Sequence, residues 1–287
     1  MRNKRIFSAL TVFALLIAWL ILAAPLARAQ TSRAALASSY LERGNTWQKK
    51  GELERAIADY DIAIGANPRL AAAYQNRGLA RQRKGELQGA LADFNKAIEL
   101  DPKLVDAYVS RSIIRSINAD LAGAIDDCNR AIEINPRLAS AYSNRGFFLF
   151  ARGALKGARA DLDKALVLDP RLDAAYVSRG NLSYTQGDFG AALTDYNLAI
   201  AINPRLAAAF HARGNVYYIT KKLDQAIADY SRSIELDLDD AEAYLNRGVA
   251  RLWQGKEIEA QRDFEECLRL NPALRPALEQ RIKEVKR

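Results

Sequence analysis

Two charged series run through this 287-residue sequence at one constant spacing. Arginine stands at Arg43, Arg77, Arg111, Arg145, Arg179, Arg213 and Arg247, and aspartate at Asp59, Asp93, Asp127, Asp161, Asp195, Asp229 and Asp263. A bare row of guanidiniums would bind anions. Interleaved with carboxylates, it becomes a set of ion pairs. Arg43 and Asp59 each lie eight residues from Gly51, so antiparallel helices joined there stand them level. Asp59 and Arg77 each lie nine residues from Pro68, which predicts a second rung to the following arginine. The expected object is a partly buried ladder, continuing toward Arg281, that fixes helix register with every charge compensated.

Other chemistry has little material. There is one histidine, His211, which excludes a histidine-based metal cluster or a two-histidine relay and reads as an exposed polar contact. No glycine-rich phosphate loop occurs, because the glycines keep a different and regular order. The expectation is a protein without catalytic residues, cofactor or metal.

The elements that carry these series repeat. The segments Ala-Tyr-Gln-Asn-Arg-Gly, Ala-Tyr-Ser-Asn-Arg-Gly, Ala-Tyr-Val-Ser-Arg-Gly and Ala-Tyr-Leu-Asn-Arg-Gly recur at a fixed interval. Gly44, Gly78, Gly146, Gly180, Gly214 and Gly248 fall on a 34-residue grid, with Ser112 at the remaining node. Seven copies tile 37–274 without insertion: 37–70, 71–104, 105–138, 139–172, 173–206, 207–240 and 241–274. In the second copy the pattern predicts helices over 71–84 and 87–100, turned at Gly85 and closed by Asp101-Pro102. Leu87, Ala90, Leu91, Phe94, Ala97 and Ile98 form the apolar stripe of the second helix.

These columns resemble the tetratricopeptide-repeat family. The early aromatic is Tyr40, Tyr74, Tyr108, Tyr142, Tyr176, Phe210 and Tyr244, and the first second-helix alanine runs from Ala56 to Ala260. The second-helix aromatic is Tyr60, Phe94, Tyr196, Tyr230 and Phe264, relaxed to Cys128 and Leu162, and the closing proline is lost only at Leu238. The resemblance implies an all-α, right-handed α-solenoid of seven helix-turn-helix repeats. The segment 275–287 adds a capping helix with Ala277, Leu278, Ile282 and Val285 inward and Glu279, Lys283, Glu284 and Lys286 outward. On this grid Cys128 and Cys267 are core positions four repeats apart, too distant for a disulfide.

The resemblance also implies that first helices line a concave face that recognises a protein or peptide. With the core columns removed, the face comprises Asn45, Asn76, Leu79, Ile113, Asn144, Phe147, Phe150, Asn181, Tyr184, Asn215, Tyr218, Asn246 and Trp253. Asparagine amides would bond a partner's backbone and aromatics would take its side chains. Phe148, Leu149 and Tyr217 are expected to pack between repeats instead. One family variant grips chaperone C-termini with lysines, asparagines and arginine; the corresponding positions here are Leu41, Asn45, Asn76, Asp106 and Ser110, so that clamp is absent. A nearly uncharged face also argues against nucleic acid.

The start of the chain reads as an export signal. Arg2, Lys4 and Arg5 precede an uncharged stretch from Ile6 to Leu26, and Ala27-Arg28-Ala29 offers a small-x-small cleavage site. The stretch is long enough to serve as an uncleaved inner-membrane anchor, but Pro25 and the lack of a second basic cluster favour a cleaved leader over 1–29, followed by a short linker over 30–36. Removing that leader halves the formal net charge of +8. The expected location is the periplasm or exterior, with membrane contact only if the leader is retained. The expected role is an envelope scaffold; the alternatives are an anchored assembly factor or chaperone, and a non-catalytic subunit of an enzyme complex.

Overall fold

The computed structural model describes residues 31–285, and these are all-helical, in consecutive packed pairs. Helix α1 covers 31–49. Then follow α2 (Leu53–Ala66), α3 (Ala71–Arg83), α4 (Leu87–Leu100), α5 (Val105–Ile117), α6 (Leu121–Ile134), α7 (Ala139–Ala151) and α8 (Leu155–Leu168). The series continues with α9 (Asp173–Thr185), α10 (Phe189–Ile202), α11 (Ala207–Ile219), α12 (Leu223–Leu236), α13 (Ala241–Trp253) and α14 (Glu257–Leu270). A 3₁₀ turn, Pro272–Leu274, leads into α15 (Arg275–Val285). Odd-numbered helices up to α13 are the first helices of repeats and even-numbered ones the second, so the fold is the expected α-solenoid. The chain forms two compact units that divide between Asn118 and Ala119.

Six of the seven repeats close on a grid glycine, the third having Ser112 there. In α9 a methyl group at Gly180 would lie 2.5 Å from Tyr196 Cε1, and at Gly78 in α3 it would lie 2.8 Å from Phe94 Cε1. The glycine column therefore exists because a large second-helix side chain, aromatic except for Leu162 against Gly146, lies directly on the first-helix backbone, as close packing of two helices demands. The first-column alanines, including Ala56, Ala90, Ala158, Ala192 and Ala226, are fully buried beside it.

Two kinds of turn alternate. Within repeats the chain passes through a left-handed residue: Gly51, Gly85, Gly153, Gly187 and Gly255 with φ between 72° and 80°, but Ala119 at 62° and Lys221 at 59°. Between repeats the Asn or Asp before proline takes an extended conformation, and its side chain accepts the N–H two residues on, as from Arg69 to Asn67 at 3.1 Å. Asp237 accepts from Asp239 at 3.1 Å in the same way, so the repeat with Leu238 in place of proline keeps its turn.

The ladder forms, with one correction. Arg145 donates from Nε and Nη2 to Asp161, each at 2.7 Å, and Arg179 grips Asp195 in the same bidentate way at 2.9 and 2.7 Å. Arg43–Asp59, Arg77–Asp93, Arg213–Asp229 and Arg247–Asp263 repeat the motif, and all of these aspartates are buried. Hydrogen bonding to Asp161, Asp195 and Asp229 outweighs burial and raises the pKa of Arg145, Arg179 and Arg213. The second rung does not reach the same aspartate. Arg77 Nη1 donates to Asp61 rather than Asp59 at 2.6 Å, Arg179 to Asp163 at 2.8 Å, Arg145 to Asn129 at 2.8 Å and Arg213 to Asn197 at 2.6 Å. The bidentate grip already occupies both oxygens of each ladder aspartate, and the turn between repeats extends beyond the proline, which moves the level position two residues along. Each ladder guanidinium also covers the aromatic three residues earlier, as Arg77 does Tyr74 at 5.4 Å from the ring centroid.

Cys128 and Cys267 are both buried, in separate hydrophobic clusters. Phe148 is buried against Ala124, Ile125 and Cys128, with Leu149 packed beside it. Leu278 anchors α15 on the last repeat, with Leu274, Ile282 and Val285 partly buried around it. Ala277 is exposed rather than inward, as are Glu279, Lys283 and Glu284. No helix among the described residues is long and apolar enough to cross a membrane. The expected leader at 1–29, cleaved or anchoring, and Lys286 lie outside the described residues.

Candidate protein-interaction site

Within the unit that begins at Ala119, the first helices α7, α9, α11 and α13 pack side by side. The side of these helices not covered by second helices carries adjoining cavities, two of which hold the aromatics. One, about 240 Å³, is walled by Phe150 of α7, Asn181, Tyr184 and Thr185 of α9, Tyr196 of α10, and Ala212 and Asn215 of α11. The other, about 340 Å³, is lined by Tyr184, His211, Asn215, Tyr218, Ile219, Tyr230, Glu242, Leu245, Asn246, Leu274, Ala277 and Arg281. Tyr184 and Asn215 belong to both. Phe150, Asn181, Tyr184, Asn215, Tyr218 and Asn246, expected on the recognition face, are therefore brought together.

The asparagines are oriented by the core. Tyr196 donates its hydroxyl to Asn181 Oδ1 at 2.7 Å, and Tyr230 donates to Asn215 Oδ1 at 2.8 Å. Both phenols reach up from second helices, and burial raises their pKa. They stay protonated donors, so the amide carbonyls are consumed from below and the Nδ2 hydrogens of Asn181 and Asn215 are left for a ligand. Asn246 instead donates Nδ2 to Asn215 Oδ1 at 3.2 Å and to His211 Nε2 at 3.1 Å.

His211 corrects the expectation of an exposed contact. Its side chain is only 15% exposed, and Nδ1 lies 2.8 Å from Asp240 Oδ2. Asp240 also caps α13, accepting the Ala243 N–H at 3.0 Å. Burial opposes ionisation of Asp240, but the His211 hydrogen bond and backbone N–H groups outweigh it and hold the carboxyl below its usual range. The tautomer with hydrogen on Nδ1 matches both neighbours, donating to Asp240 and accepting from Asn246 at Nε2. The sequence carried a signal for half of this arrangement: Asn246 lies one repeat plus one residue after His211.

Other expected face residues stand apart from the two cavities. Trp253 is 41% exposed; its Nε1 donates to Tyr218 Oη at 3.0 Å and Lys221 Nζ lies 4.5 Å from its ring centroid. Phe147 is 45% exposed and stands edge-to-face with Phe148. Asn144 and Ile113 are half-buried and line neither cavity. In the other unit, Leu79 packs against the Phe94 cluster and so belongs partly to the core. Asn45 and Asn76 are joined by a 2.7 Å hydrogen bond and line a polar hollow of about 420 Å³ with Gln48, Lys49 and Arg83. Burial pushes the Tyr60 phenol below Asn45 up to about 12. Among the described residues no cluster of His, Cys, Asp and Glu side chains could hold a metal ion.

Arg281 is a further correction. It was expected to extend the ladder, but it lines the larger cavity, with Cζ 6.0 Å from the Tyr218 ring centroid. No carboxylate among the described residues pairs with it.

Comparison with known proteins places this architecture. Models of the tetratricopeptide repeat match 71–104, 138–168 and 241–274, and a TPR-repeat model matches 180–220 and 214–255, together more than half of the chain. The chain belongs to the tetratricopeptide-repeat family. A tetratricopeptide repeat protein from Parabacteroides merdae superposes with a TM-score of 0.68 at 22% identity, over 88% of this chain and 100% of that one. The Cut9–Hcn1 APC/C hetero-tetramer gives 0.77 at 17% identity, over 86% of this chain and 48% of its own. Pseudomonas aeruginosa pilF gives 0.62 at 18% identity, over 75% and 96%. At these identities the likeness establishes the fold alone. Comparison with curated proteins finds no match. Tetratricopeptide-repeat chains are generally non-catalytic scaffolds, and the fold of this one implies a scaffold for protein–protein interaction.

Proposed function

We propose that the chain holds a polypeptide partner in extended form against α7, α9, α11 and α13. The observation that carries this reading is the pair of adjoining cavities lined by half-buried aromatics and by asparagines whose donors are turned outward. Backbone carbonyls of an extended peptide match such donors, and its alternate side chains point toward one face, where the cavities can receive them. Cavities of this size accept single side chains rather than a whole domain.

The basic start, the uncharged stretch and Ala27-Arg28-Ala29 support export and a role in the cell envelope, with cleavage before Gln30. A retained leader would make the protein an anchored assembly factor instead. Intact mass of the protein recovered from the cell decides between the two.

The face is tested by capture from envelope extract with the wild type, with Phe150→Ala/Tyr184→Ala, and with Val167→Ala, a second-helix residue 75% exposed. The double variant should lose partners that Val167→Ala retains. Identical profiles from all three would defeat the reading.

A further inference from the structure

The His211 ring ends a chain of hydrogen bonds that runs into the peptide face. Nδ1 meets Asp240 at 2.8 Å, and Nε2 meets Asn246 Nδ2 at 3.1 Å. Asn246 Nδ2 meets Asn215 Oδ1 at 3.2 Å, and the Tyr230 hydroxyl meets the same Oδ1 at 2.8 Å. The two amides and the hydroxyl each carry a donor and an acceptor, so each can be turned about and still form its contacts. The imidazole has no such freedom. Asp240 already accepts the Ala243 N–H, and a carboxylate only accepts, so Nδ1 keeps a hydrogen. A neutral ring then has a bare Nε2, which Asn246 meets with N–H. The second Asn246 hydrogen is answered by Asn215 Oδ1, and Asn215 Nδ2 is turned to the face. A charged ring carries hydrogen on Nε2 as well, and every link reverses. Asn246 offers Oδ1, Asn215 answers with Nδ2, Tyr230 accepts, and the Asn215 carbonyl is turned to the face.

We propose that His211 is the positioning residue of the peptide face, setting through Asn246 whether Asn215 presents N–H donors or a carbonyl acceptor to the partner. Asn215 lines three adjoining cavities, those of about 240 and 340 Å³ and a third of about 300 Å³, so its orientation matters throughout the face. Histidine occurs once in this column; the other repeats have Leu41, Gln75, Val109, Ser143, Val177 and Leu245. Asn76 donates to Asn45 at 2.7 Å and Tyr60 to Asn45 at 2.9 Å, the same arrangement with Leu41 in place of the histidine. The charged and titratable groups that share cavities with the imidazole are Tyr184 of α9, Tyr218 of α11, Tyr230 of α12, Glu242 of α13 and Arg281 of α15, with Asp237 and Asp240 in the turn before α13. Among these residue types histidine is the one that ordinarily changes charge between about pH 5 and 8. Against burial, the His211 hydrogen bond and backbone N–H groups hold the Asp240 carboxyl below its usual range, and burial pushes the Tyr184 and Tyr230 phenols up. The face therefore presents donors when the imidazole is neutral and an acceptor when it is charged.

This inference rests on the peptide-binding reading above, and its first test needs no peptide. The whole chain is labelled with ¹⁵N in its one histidine and in its asparagine side chains, and followed by NMR from about pH 8 to about pH 5. At the upper end the ring hydrogen should sit on Nδ1 and not on Nε2. As the ring takes up its second proton, the Asn215 and Asn246 amide signals should move with the same midpoint, and the Asn215 Nδ2 hydrogens should gain contact with the Tyr230 ring. Asn45 and Asn76 should not respond. His211→Leu, leucine being the residue of this column at Leu41 and Leu245, should leave Asn215 and Asn246 unresponsive too. Hydrogen on Nε2 of the neutral ring, Asn215 signals that ignore the imidazole midpoint, or a response that survives His211→Leu overturns the relay. The uncharged peptide acetyl-Ala-Leu-Ala-Leu-Ala-amide, titrated calorimetrically, should bind the wild type about fivefold more weakly at the acid end, the worth of one hydrogen bond, and His211→Leu equally at both ends. Equal binding by the wild type at both ends overturns control of the face by His211. No binding at millimolar concentration at either end overturns the peptide-binding reading, whereas the spectra decide the relay by themselves.

Discussion

Replacing Asp195 with alanine isolates one rung of the ladder. Asp195 is 4% exposed and accepts both Nε and Nη2 of Arg179, while Arg179 Nη1 holds Asp163 on the preceding repeat. Removing one member of a buried pair costs about 3–5 kcal/mol, because the remaining charge is left desolvated. Here the Arg179 side chain is 23% exposed, and it keeps Asp163 and the Tyr176 ring, so part of that penalty is recovered and about 2–3 kcal/mol is expected. Asp163 is 49% exposed, and Asp163→Ala should cost no more than about 1 kcal/mol. The assay is urea denaturation followed by helix circular dichroism. Amide exchange in α9 and α10 should accompany it, because repeat arrays need not unfold as one unit. Equal losses in the two variants would refute the distinction between a bidentate buried rung and an exposed tie between repeats.

Further outcomes follow from the same geometry. Gly180→Ala forces a methyl to 2.5 Å from the Tyr196 ring and should cost about 1–3 kcal/mol, whereas Gly65→Ala, with no atom within 4 Å, should gain about 0.5–1 kcal/mol in the same denaturation assay. Ala119→Gly relieves a left-handed alanine at φ 62° and should raise the urea midpoint by the equivalent of about 0.5–1 kcal/mol. Asp240 has its carboxyl held low in the folded state, so its stabilising contribution is present above about pH 4 and lost as pH falls through the folded value. Stability measured across that range should fall less steeply in Asp240→Asn than in the wild type.

Much of this architecture can be read directly from the chain. The helices expected over 71–84 and 87–100 are Ala71–Arg83 and Leu87–Leu100, because glycine and proline punctuate a strict period. The rung inside each repeat was legible as well, since Arg43 and Asp59 are equidistant from a one-residue pivot at Gly51. The rung between repeats was not, because the turn there spans several residues and the Asn67 side chain holds it past Pro68. His211 gave no cue to its burial, since its partner Asp240 is a capping residue at the end of a repeat and periodicity alone does not mark such a role. Arg281 shared the column of the ladder arginines, but the column records spacing, and which acid stands opposite decides pairing. Of the face aromatics, Tyr184 and Phe150 meet at a cavity, while Phe147 and Trp253 line neither; Phe147 shares its repeat column with Asn181 and Asn215, so the column alone does not decide which positions line a cavity.

Site-specific photo-crosslinking tests the central claim most directly. Benzoylphenylalanine placed at 150 or 184 lies at the paired cavities, and at 167 it lies on an exposed second-helix surface. The partner-binding reading predicts polypeptide adducts from the first two positions and none from the third. Adducts from 167 alone, or equally from all three, would contradict it.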